Sequence, residues 1–344
     1  MTSSAPAPVP RVPIPARAPH DALPSAAPQA VPAPPVLAEV VRSGFVEGRH
    51  RGSLVLLGAD GGVRLALGDV TAPVFPRSSN KPMQAAAVLR AGLSLGGERL
   101  ALAAGSHSGE RFHLELVRAV LAEAGLSEAH LRTPPDLPLD QREAEALLAA
   151  GGERSRIAMN CSGKHAAMLA VCAANGWPLA TYLDPDHPLQ RLVLRTVEQA
   201  SGEQVRHVGT DGCGAPLTAL SLTGLARAFR GFVLAEPGTP ERRVADAMRT
   251  HPEYVGGTRR ADTWLMREVP GALAKMGAEA VQAVALPDGQ ALAFKIDDGG
   301  PRALGPVLAR ALEHLGVDSP VLARIADAPL TGGGERVGEV RAAF

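Results

Sequence analysis

A serine and a lysine, Ser78 and Lys81, stand three residues apart in the stretch Arg-Ser-Ser-Asn-Lys-Pro. If a helix begins here, residues three apart lie on one face, so the hydroxyl and the amine come within hydrogen-bond reach, whereas Ser79 points elsewhere. Both serines are good N-cap residues, and Pro82 suits a first turn. A lysine with a lowered pKa can activate a serine as a nucleophile. The spacing favours acyl chemistry, and the alternative is a capped helix with a solvated lysine.

Ser-x-x-Lys at the start of a helix is the arrangement used by the serine β-lactamase and penicillin-binding superfamily. Lys275 occupies roughly the place in chain order where that superfamily has its second lysine. The alternative for Lys275 is a solvated side chain without a role.

Two further loops each carry a cysteine among small residues. They read Asn-Cys-Ser-Gly-Lys-His at 160–165 and Asp-Gly-Cys-Gly-Ala-Pro at 211–216. Cys161, Lys164 and the following histidine would share a helical face or its mouth. Thiols from two such loops could bind a metal, and the alternative is two buried, unconnected thiols, since no Cys-x-x-Cys pair is present.

Two polar loops offer further candidate groups. The sequence Ser-His-Ser-Gly-Glu at 106–110 carries hydroxyls and a possible acid, or simply forms a loop and helix cap. The sequence Gly-Gly-Thr-Arg-Arg at 256–260 could hold an anionic group with backbone N–H groups and guanidinium, or be a polar connection.

Composition narrows the class of partner. The chain has 344 residues, of which 46% are hydrophobic, enough for a large core. Its 35 basic and 35 acidic residues cancel and aromatic residues make up only 3%, so neither nucleic acid nor a membrane is expected as partner. Three cysteines favour a reducing compartment and no disulfide framework. We therefore expect a cytoplasmic protein that acts on a small molecule.

The hydrophobic pattern predicts an α/β (α+β) protein. Residues 1–36 are rich in Ala and Pro and are expected to form a disordered tail. Residues 37–325 form the predicted catalytic domain, with strands near both ends and helices between them. Such a pattern implies one antiparallel sheet built from both termini, with a helical lobe inserted. Residues 326–344 are predicted to be a frayed C-terminal tail.

Five motifs, taken together, resemble the class 3, rhizobial-type L-asparaginases, which are the asparaginase II family. They are Arg-Ser-Ser-Asn-Lys-Pro at 77–82, Ser-His-Ser-Gly-Glu at 106–110, Asn-Cys-Ser-Gly-Lys-His at 160–165, Asp-Gly-Cys-Gly-Ala-Pro at 211–216 and Ala-Lys-Met-Gly at 274–277. The resemblance covers about residues 37–325. It implies a glutaminase and serine β-lactamase-like fold and a homodimer.

The resemblance also implies roles for individual residues. Ser78 would be the nucleophile with Lys81 as its base, and Ser108 with Lys275 would form a second serine–lysine pair, although Ser106 could fill the position of Ser108. The implied metal is Zn²⁺, held by Cys161, Lys164 and Cys213. The expected substrate-binding residues are Arg77, His107, Asp211 and Gly257.

The expected reaction is hydrolysis of L-asparagine to L-aspartate and ammonia through an acyl-enzyme. Three alternatives stay open. The first is a glutaminase, since one methylene contributes only about 1–3 kcal/mol of discrimination. The second is a penicillin-recognising serine hydrolase, and the third is a zinc-binding relative without catalysis.

Overall fold

A curled antiparallel sheet, built from both ends of the chain, supports the helices in the computed structural model, which describes residues 33–344. The strands are β1 (Val36–Arg42), β2 (Phe45–Leu57), β3 (Val63–Leu67), β4 (Pro73–Val74), β5 (Val208–Thr210), β6 (Pro216–Thr218), β7 (Leu220–Ser221), β8 (Leu273–Gly277), β9 (Val281–Ala285), β10 (Ala291–Ile296), β11 (Pro329–Gly332) and β12 (Glu335–Ala342).

The α-helices lie mostly between β4 and β8. They are α1 (Lys81–Arg90), α2 (Gly97–Ala103), α3 (Arg111–Glu123), α4 (Gln141–Ala149), α5 (Ser162–Ala174), α6 (Pro188–Ser201), α7 (Leu222–Leu234), α8 (Pro240–Thr250), α9 (Pro252–Gly256), α10 (Ala261–Glu268), α11 (Leu304–His314) and α12 (Val321–Ala326).

The main sheet has the strand order β11-β12-β1-β2-β10-β9-β8, and β3 pairs with β2. Neighbouring strands in it are antiparallel. The long strand β2 joins the two halves, because its first part pairs with β1 and its second part pairs with β10. This topology confirms the predicted mixed α/β class and the sheet assembled from both termini.

The predicted frayed tail over residues 326–344 is wrong. Strand β12 pairs with β1, with Val340 opposite Val40, and Val340 is buried. The glycines that suggested fraying form the turn between β11 and β12, where Gly333 and Gly334 have positive φ angles of 58° and 89°. At the other end of the chain, residues 1–36 were predicted to form a tail, and residues 1–32 of it lie outside the described residues. Val36, the last residue of that predicted tail, belongs to β1.

Two alanine-rich helices, α1 and α5, run through the interior. Residues 81–89 of α1 and 162–172 of α5 are all buried. A helix that is covered all round needs small or apolar side chains on every face, which explains the alanines in both. Each helix begins at one of the candidate motifs, so the interior packing fixes where those motifs lie.

Within residues 33–344, no helix is both long and apolar enough to cross a membrane.

Candidate active site

Ser78 lies on a short 3₁₀ turn, Arg77–Asn80, that leads directly into α1. The α-helix therefore begins at Lys81, with Asn80 as its N-cap and Pro82 in its first turn. The sequence favoured a serine as the N-cap, but neither Ser78 nor Ser79 holds that position. Ser79 was predicted to point elsewhere, and it points into the interior, where its hydroxyl donates to the carbonyl of Pro76 at 2.6 Å. Ser78 stays partly exposed, which leaves its hydroxyl accessible.

The amine of Lys81 is buried beside the loop that follows α2. Its Nζ donates to the carbonyl of Gly105 at 2.6 Å and lies 3.0 Å from Oγ of Ser106. Burial lowers the pKa of Lys81, and Lys164 lowers it further, although Cys161 acts in the opposite direction. The serine that Lys81 contacts here is Ser106, and the structure records no hydrogen bond between Lys81 and Ser78. Serine and base often come together only when substrate binds.

The two serines of the 106–110 loop have different partners. Ser106 faces Lys81, whereas the hydroxyl of Ser108 donates to the carbonyl of Gly256 at 2.5 Å. Lys275, on β8, donates to the carbonyl of Met276 at 2.7 Å. Ser108 and Lys275 therefore have different partners, and the structure records no direct hydrogen bond between them. Burial lowers the pKa of Lys275 to about 7, with Asp262 opposing this effect. Such an amine exchanges protons near neutral pH.

His107 lies in the interior and holds two motifs together. Its Nε2 is 2.8 Å from Oγ of Ser162, whose own hydroxyl donates to the carbonyl of Ile157. The imidazole is therefore the donor to Ser162. Burial and the neighbouring His113 keep the pKa of His107 well below its usual value. His107 is 0% exposed and connects the 106–110 loop to the start of α5. It was expected to bind substrate, but its Nε2 is already engaged by Ser162.

Arg77 and Asp211 form an ion pair that ties the Ser78 turn to the 211–216 loop. Nε of Arg77 is 2.8 Å from Oδ1 of Asp211. Arg77 adopts φ +52°, a left-handed conformation that is unusual for a side chain of this size. Backbone strain of this kind persists only where the surroundings enforce it, so this φ angle indicates a fixed local geometry. The ion pair with Asp211 is one contact that maintains it. It brings the two motifs together by pairing two side chains that the sequence analysis expected to bind substrate.

The backbone of Gly257 lies directly against the side chain of Ser108. It has φ +97°, and a Cβ atom at this position would lie 2.3 Å from Oγ of Ser108 and 2.6 Å from Oε1 of Glu110. Glu110 in turn accepts hydrogen bonds from the backbone N–H and the hydroxyl of Thr258, both at 2.8 Å. The loop after α9 is therefore fastened directly onto the 106–110 loop.

Replacing Gly257 with alanine is expected to lower the free energy of unfolding by about 1–3 kcal/mol, because both the φ angle and the clash with Ser108 oppose a side chain. Hydrolytic activity should also fall, at least about tenfold, as Ser108 is displaced. Gly92→Ala is the control, since Gly92 has φ +91° with nothing within 4 Å of the added Cβ. Denaturant titration and rate assays of both variants test this, and wild-type activity in Gly257→Ala would contradict it.

The cysteines of the two loops meet in one small buried cluster. Cys161 and Cys213 pack together with Met159 and Ala215, and Nζ of Lys164 lies 3.1 Å from Sγ of Cys213. A hydrogen bond from Cys161 and the charge of Lys164 lower the pKa of Cys213 far below its usual value, although burial opposes them. Burial alone would lower the pKa of Lys164, but the sulfurs of Cys213 and Cys161 raise it overall.

This donor set fits a zinc ion. Two sulfurs and an amine are ligands that zinc accepts, and they leave a fourth position open. Nε2 of the adjacent His165 is buried without a hydrogen-bond partner in residues 33–344, which leaves a further nitrogen unused in the same cluster. No group of three or more His, Cys, Asp or Glu side chains that could hold a metal occurs in the described part of the chain, so a site here depends on Lys164. The lysine would have to lose its proton on metal binding.

Sequence reasoning missed two contacts in this region. The amine of Lys81 lies against Ser106, and the guanidinium of Arg260 lies 2.8 Å from the sulfur of Met276, next to Lys275. The motif at 256–260 could have indicated Arg260, because it carries adjacent arginines. Which of the two faces the site depends on tertiary contacts that spacing does not reveal.

The comparisons with known proteins agree with the family resemblance. The family model of L-asparaginase II matches residues 38–342. No curated protein sequence gives a significant match.

Several solved structures are similar in part. A β-lactamase from Mycobacterium bovis is 16% identical, over 76% of this chain and 94% of that chain, with a TM-score of 0.42. Mglu in its native form is 16% identical, over 86% of this chain and 73% of that chain, with a TM-score of 0.43. EstCE1, described as a hydrolase with promiscuous acyltransferase activity, is 14% identical, over 73% and 91% of the two chains, with a TM-score of 0.40.

The matched region contains Ser78, Lys81, Ser108, Lys275 and both cysteine loops. The match over residues 38–342 shows that this chain belongs to the L-asparaginase II family.

Proposed function

We propose that the protein is an L-asparaginase that hydrolyses the side-chain amide of L-asparagine to L-aspartate and ammonia, with Ser78 as nucleophile. The observation that supports this most strongly is the buried amine of Lys81, one helical turn from a partly exposed serine, in a chain of this family. Burial lowers the pKa of Lys81, so a larger fraction of the amine is neutral and able to accept a proton.

In the first half of the reaction, Lys81 takes the proton of Ser78 while Oγ attacks the carboxamide carbon. The resulting oxyanion collapses, the C–N bond breaks and ammonia leaves with a proton supplied by the lysine. This requires the amine to turn from Gly105 towards Ser78. The product of this half is an ester between aspartate and Ser78.

In the second half, a water molecule attacks the ester and releases aspartate. We assign proton transfer in this step to the pair Ser108 and Lys275, because an amine with a pKa of about 7 can both accept and donate a proton at neutral pH. The contact between Lys81 and Ser106 offers a second route for the same proton. Both routes use residues of the loop that Gly257 and Glu110 hold in place.

Zinc is part of the proposal, with Cys161, Lys164 and Cys213 as ligands. A bound zinc ion would supply a Lewis acid and a positive charge beside the substrate pocket. Without the metal, the same residues hold the 160–165 and 211–216 loops against each other through the Lys164–Cys213 contact. That contact, together with the Arg77–Asp211 pair, positions the Ser78 turn.

Ammonia release by the purified protein tests the proposed reaction. Asparagine and glutamine are assayed by ammonia release and the β-lactam nitrocefin by the absorbance change on ring opening, and asparagine is expected to give the highest kcat/KM. Glutamine preference would replace the asparaginase with a glutaminase, and nitrocefin turnover would favour a penicillin-recognising hydrolase. If the protein binds zinc but turns over none of these substrates, the remaining interpretation is a zinc-binding relative without catalysis.

Metal analysis of the purified protein is expected to find one zinc ion per chain, and Cys213→Ala is expected to lose it. The variant should also have a lower Tm, because metal binding contributes to the stability of the folded state. Cys172→Ala is the control, since Cys172 is buried within α5, where burial raises the pKa of its thiol to about 12. Zinc-free wild-type protein with full activity would contradict this prediction.

The proposal also includes a homodimer, which the family resemblance implies, and a cytoplasmic location, which the small number of cysteines favours. Size-exclusion chromatography with light scattering tests the first, and cell fractionation tests the second.

A further inference from the structure

Arg260, directly before α10, has a half-buried guanidinium that forms no ion pair within the described part of the chain. Its Nη2 lies 2.8 Å from the sulfur of Met276, which is a weak acceptor. Within residues 33–344, no carboxylate oxygen lies within 4.0 Å of this guanidinium, although the neighbouring Arg259 is fully paired with Asp140 and Glu143. Withdrawing a guanidinium from water without an anion is costly unless a ligand supplies one.

The two carboxylates that influence Arg260 are already engaged by other groups. Oδ2 of Asp262 accepts from the backbone N–H of Met276 at 2.8 Å, and Oδ1 accepts from the amide of Gln282 at 3.0 Å. Both oxygens of Asp140 accept from Arg259 at 2.9 Å. Burial lowers the pKa of Arg260, and these two carboxylates only partly offset the effect. The guanidinium therefore keeps its hydrogen-bonding capacity for something else.

Arg260 is close to both serine–lysine motifs. Its contact residue, Met276, follows Lys275 on β8, and the next residue, Gly277, has no room for a side chain because a Cβ would lie 2.3 Å from the carbonyl of Pro76. This strand end therefore abuts the turn that carries Ser78.

On its other side, Arg260 adjoins the loop that holds Ser108. A Cβ at Gly256 would lie 3.3 Å from Cβ of Arg260, and the carbonyl of Gly256 accepts the hydroxyl of Ser108. Arg260 therefore adjoins both the strand that abuts the Ser78 turn and the loop that holds Ser108.

We propose that Arg260 binds the α-carboxylate of the amino-acid substrate and so presents the side-chain amide to Ser78. This inference rests on the proposed function and specifies the substrate class as an amide that also carries a carboxylate. A planar guanidinium pairs with a carboxylate through two parallel N–H···O bonds, which fixes orientation as well as supplying attraction. Arg77 is a poorer candidate, because Asp211 already occupies it.

A substrate that lacks the carboxylate provides the test. 3-Aminopropanamide is asparagine without that group, and wild type should hydrolyse it with a kcat/KM about 10²-fold lower than asparagine. Arg260→Met should lower kcat/KM for asparagine by a similar factor and leave 3-aminopropanamide nearly unchanged. Arg260→Lys should recover part of the loss, since it restores charge without the two-pronged geometry. An equal loss on both substrates would overturn the inference and indicate a structural role.

Two control variants separate carboxylate binding from loop stability. Arg259→Met breaks the pairs with Asp140 and Glu143, so it should lower stability and affect both substrates alike. Arg267→Met removes an exposed ion pair with Glu253. It should leave kcat/KM unchanged for both asparagine and 3-aminopropanamide.

If wild type releases no ammonia from any amide, the proposed function fails, and calorimetric titration with L-aspartate then decides the inference. Binding that Arg260→Met abolishes would support a carboxylate site, and no binding to wild type would overturn it.

Discussion

Replacing Ser78 with alanine is expected to lower kcat for asparagine at least about 10⁴-fold, because the attacking oxygen is lost while binding groups stay in place. The Tm should change by no more than about 1 °C, since Ser78 is partly exposed and its hydroxyl makes no hydrogen bond to any of residues 33–344. Steady-state ammonia release and a thermal melt of the same preparation measure both quantities.

Ser79→Ala is the matched control for this experiment. The hydroxyl of Ser79 is fully buried and donates to the carbonyl of Pro76, so its removal should lower the free energy of unfolding by about 1 kcal/mol. Catalysis should fall far less than in Ser78→Ala. If Ser79→Ala loses turnover and Ser78→Ala keeps it, the nucleophile has been assigned to the wrong serine.

Lys275→Met is expected to make the protein more stable and inactive at the same time. Lys275 is only 1% exposed, and burial lowers the pKa of its amine from 10.5 to about 7. Below pH 7 both the folded and the unfolded state carry the proton, so the cost of burying the charge is fully present. Between about pH 7 and 10.5 the unfolded state binds more protons than the folded state, so stability rises with pH and the cost fades. Methionine of similar size removes this cost.

The expected gain in the free energy of unfolding at pH 6 is about 1–3 kcal/mol, and it should shrink towards pH 10. Denaturant titrations at several pH values measure it. Lys295→Met, on strand β10 of the same sheet, is the control, because Lys295 is less buried than Lys275 and burying its charge therefore costs less. If Lys275→Met is less stable than wild type at pH 6, burial of the charged amine is not the cost described. If the variant is as active as wild type, Lys275 has no part in proton transfer.

Much of the architecture could be predicted from the sequence because it rests on local patterns. The alternating strands at both ends and the helical middle fixed the mixed class, and the motif order indicated which helices begin at a functional residue. The buried alanine-rich helices α1 and α5 each begin at or directly after a candidate motif, and that chemistry lies at these helix starts stays a prediction.

Other features depend on tertiary contacts and were not predictable from spacing. The strand β12 looks Gly-rich and polar in sequence, yet its pairing with β1 orders it. Helix α1 begins at Lys81 rather than at a serine, because the 3₁₀ turn before it is held by the Arg77–Asp211 pair, which joins residues far apart in the chain.

The identity of the second serine also depends on tertiary contacts. Ser106 and Ser108 are two residues apart in one motif, and only the folded loop determines which contacts Lys81. The position of Arg260 beside Met276 is likewise a consequence of how the loop after α9 packs against β8.

The central claim is that the amide is cleaved through an ester on Ser78, and acid quenching during turnover tests it most directly. Protein is mixed with asparagine, quenched within one turnover and digested, and the peptides are analysed by mass spectrometry. An aspartyl ester is expected on the peptide that contains Ser78, and it should be absent from Ser78→Ala and disappear in wild type once substrate is exhausted. Full turnover with no modified peptide at any quench time, and undiminished turnover in Ser78→Ala, would contradict the account and indicate direct attack by water.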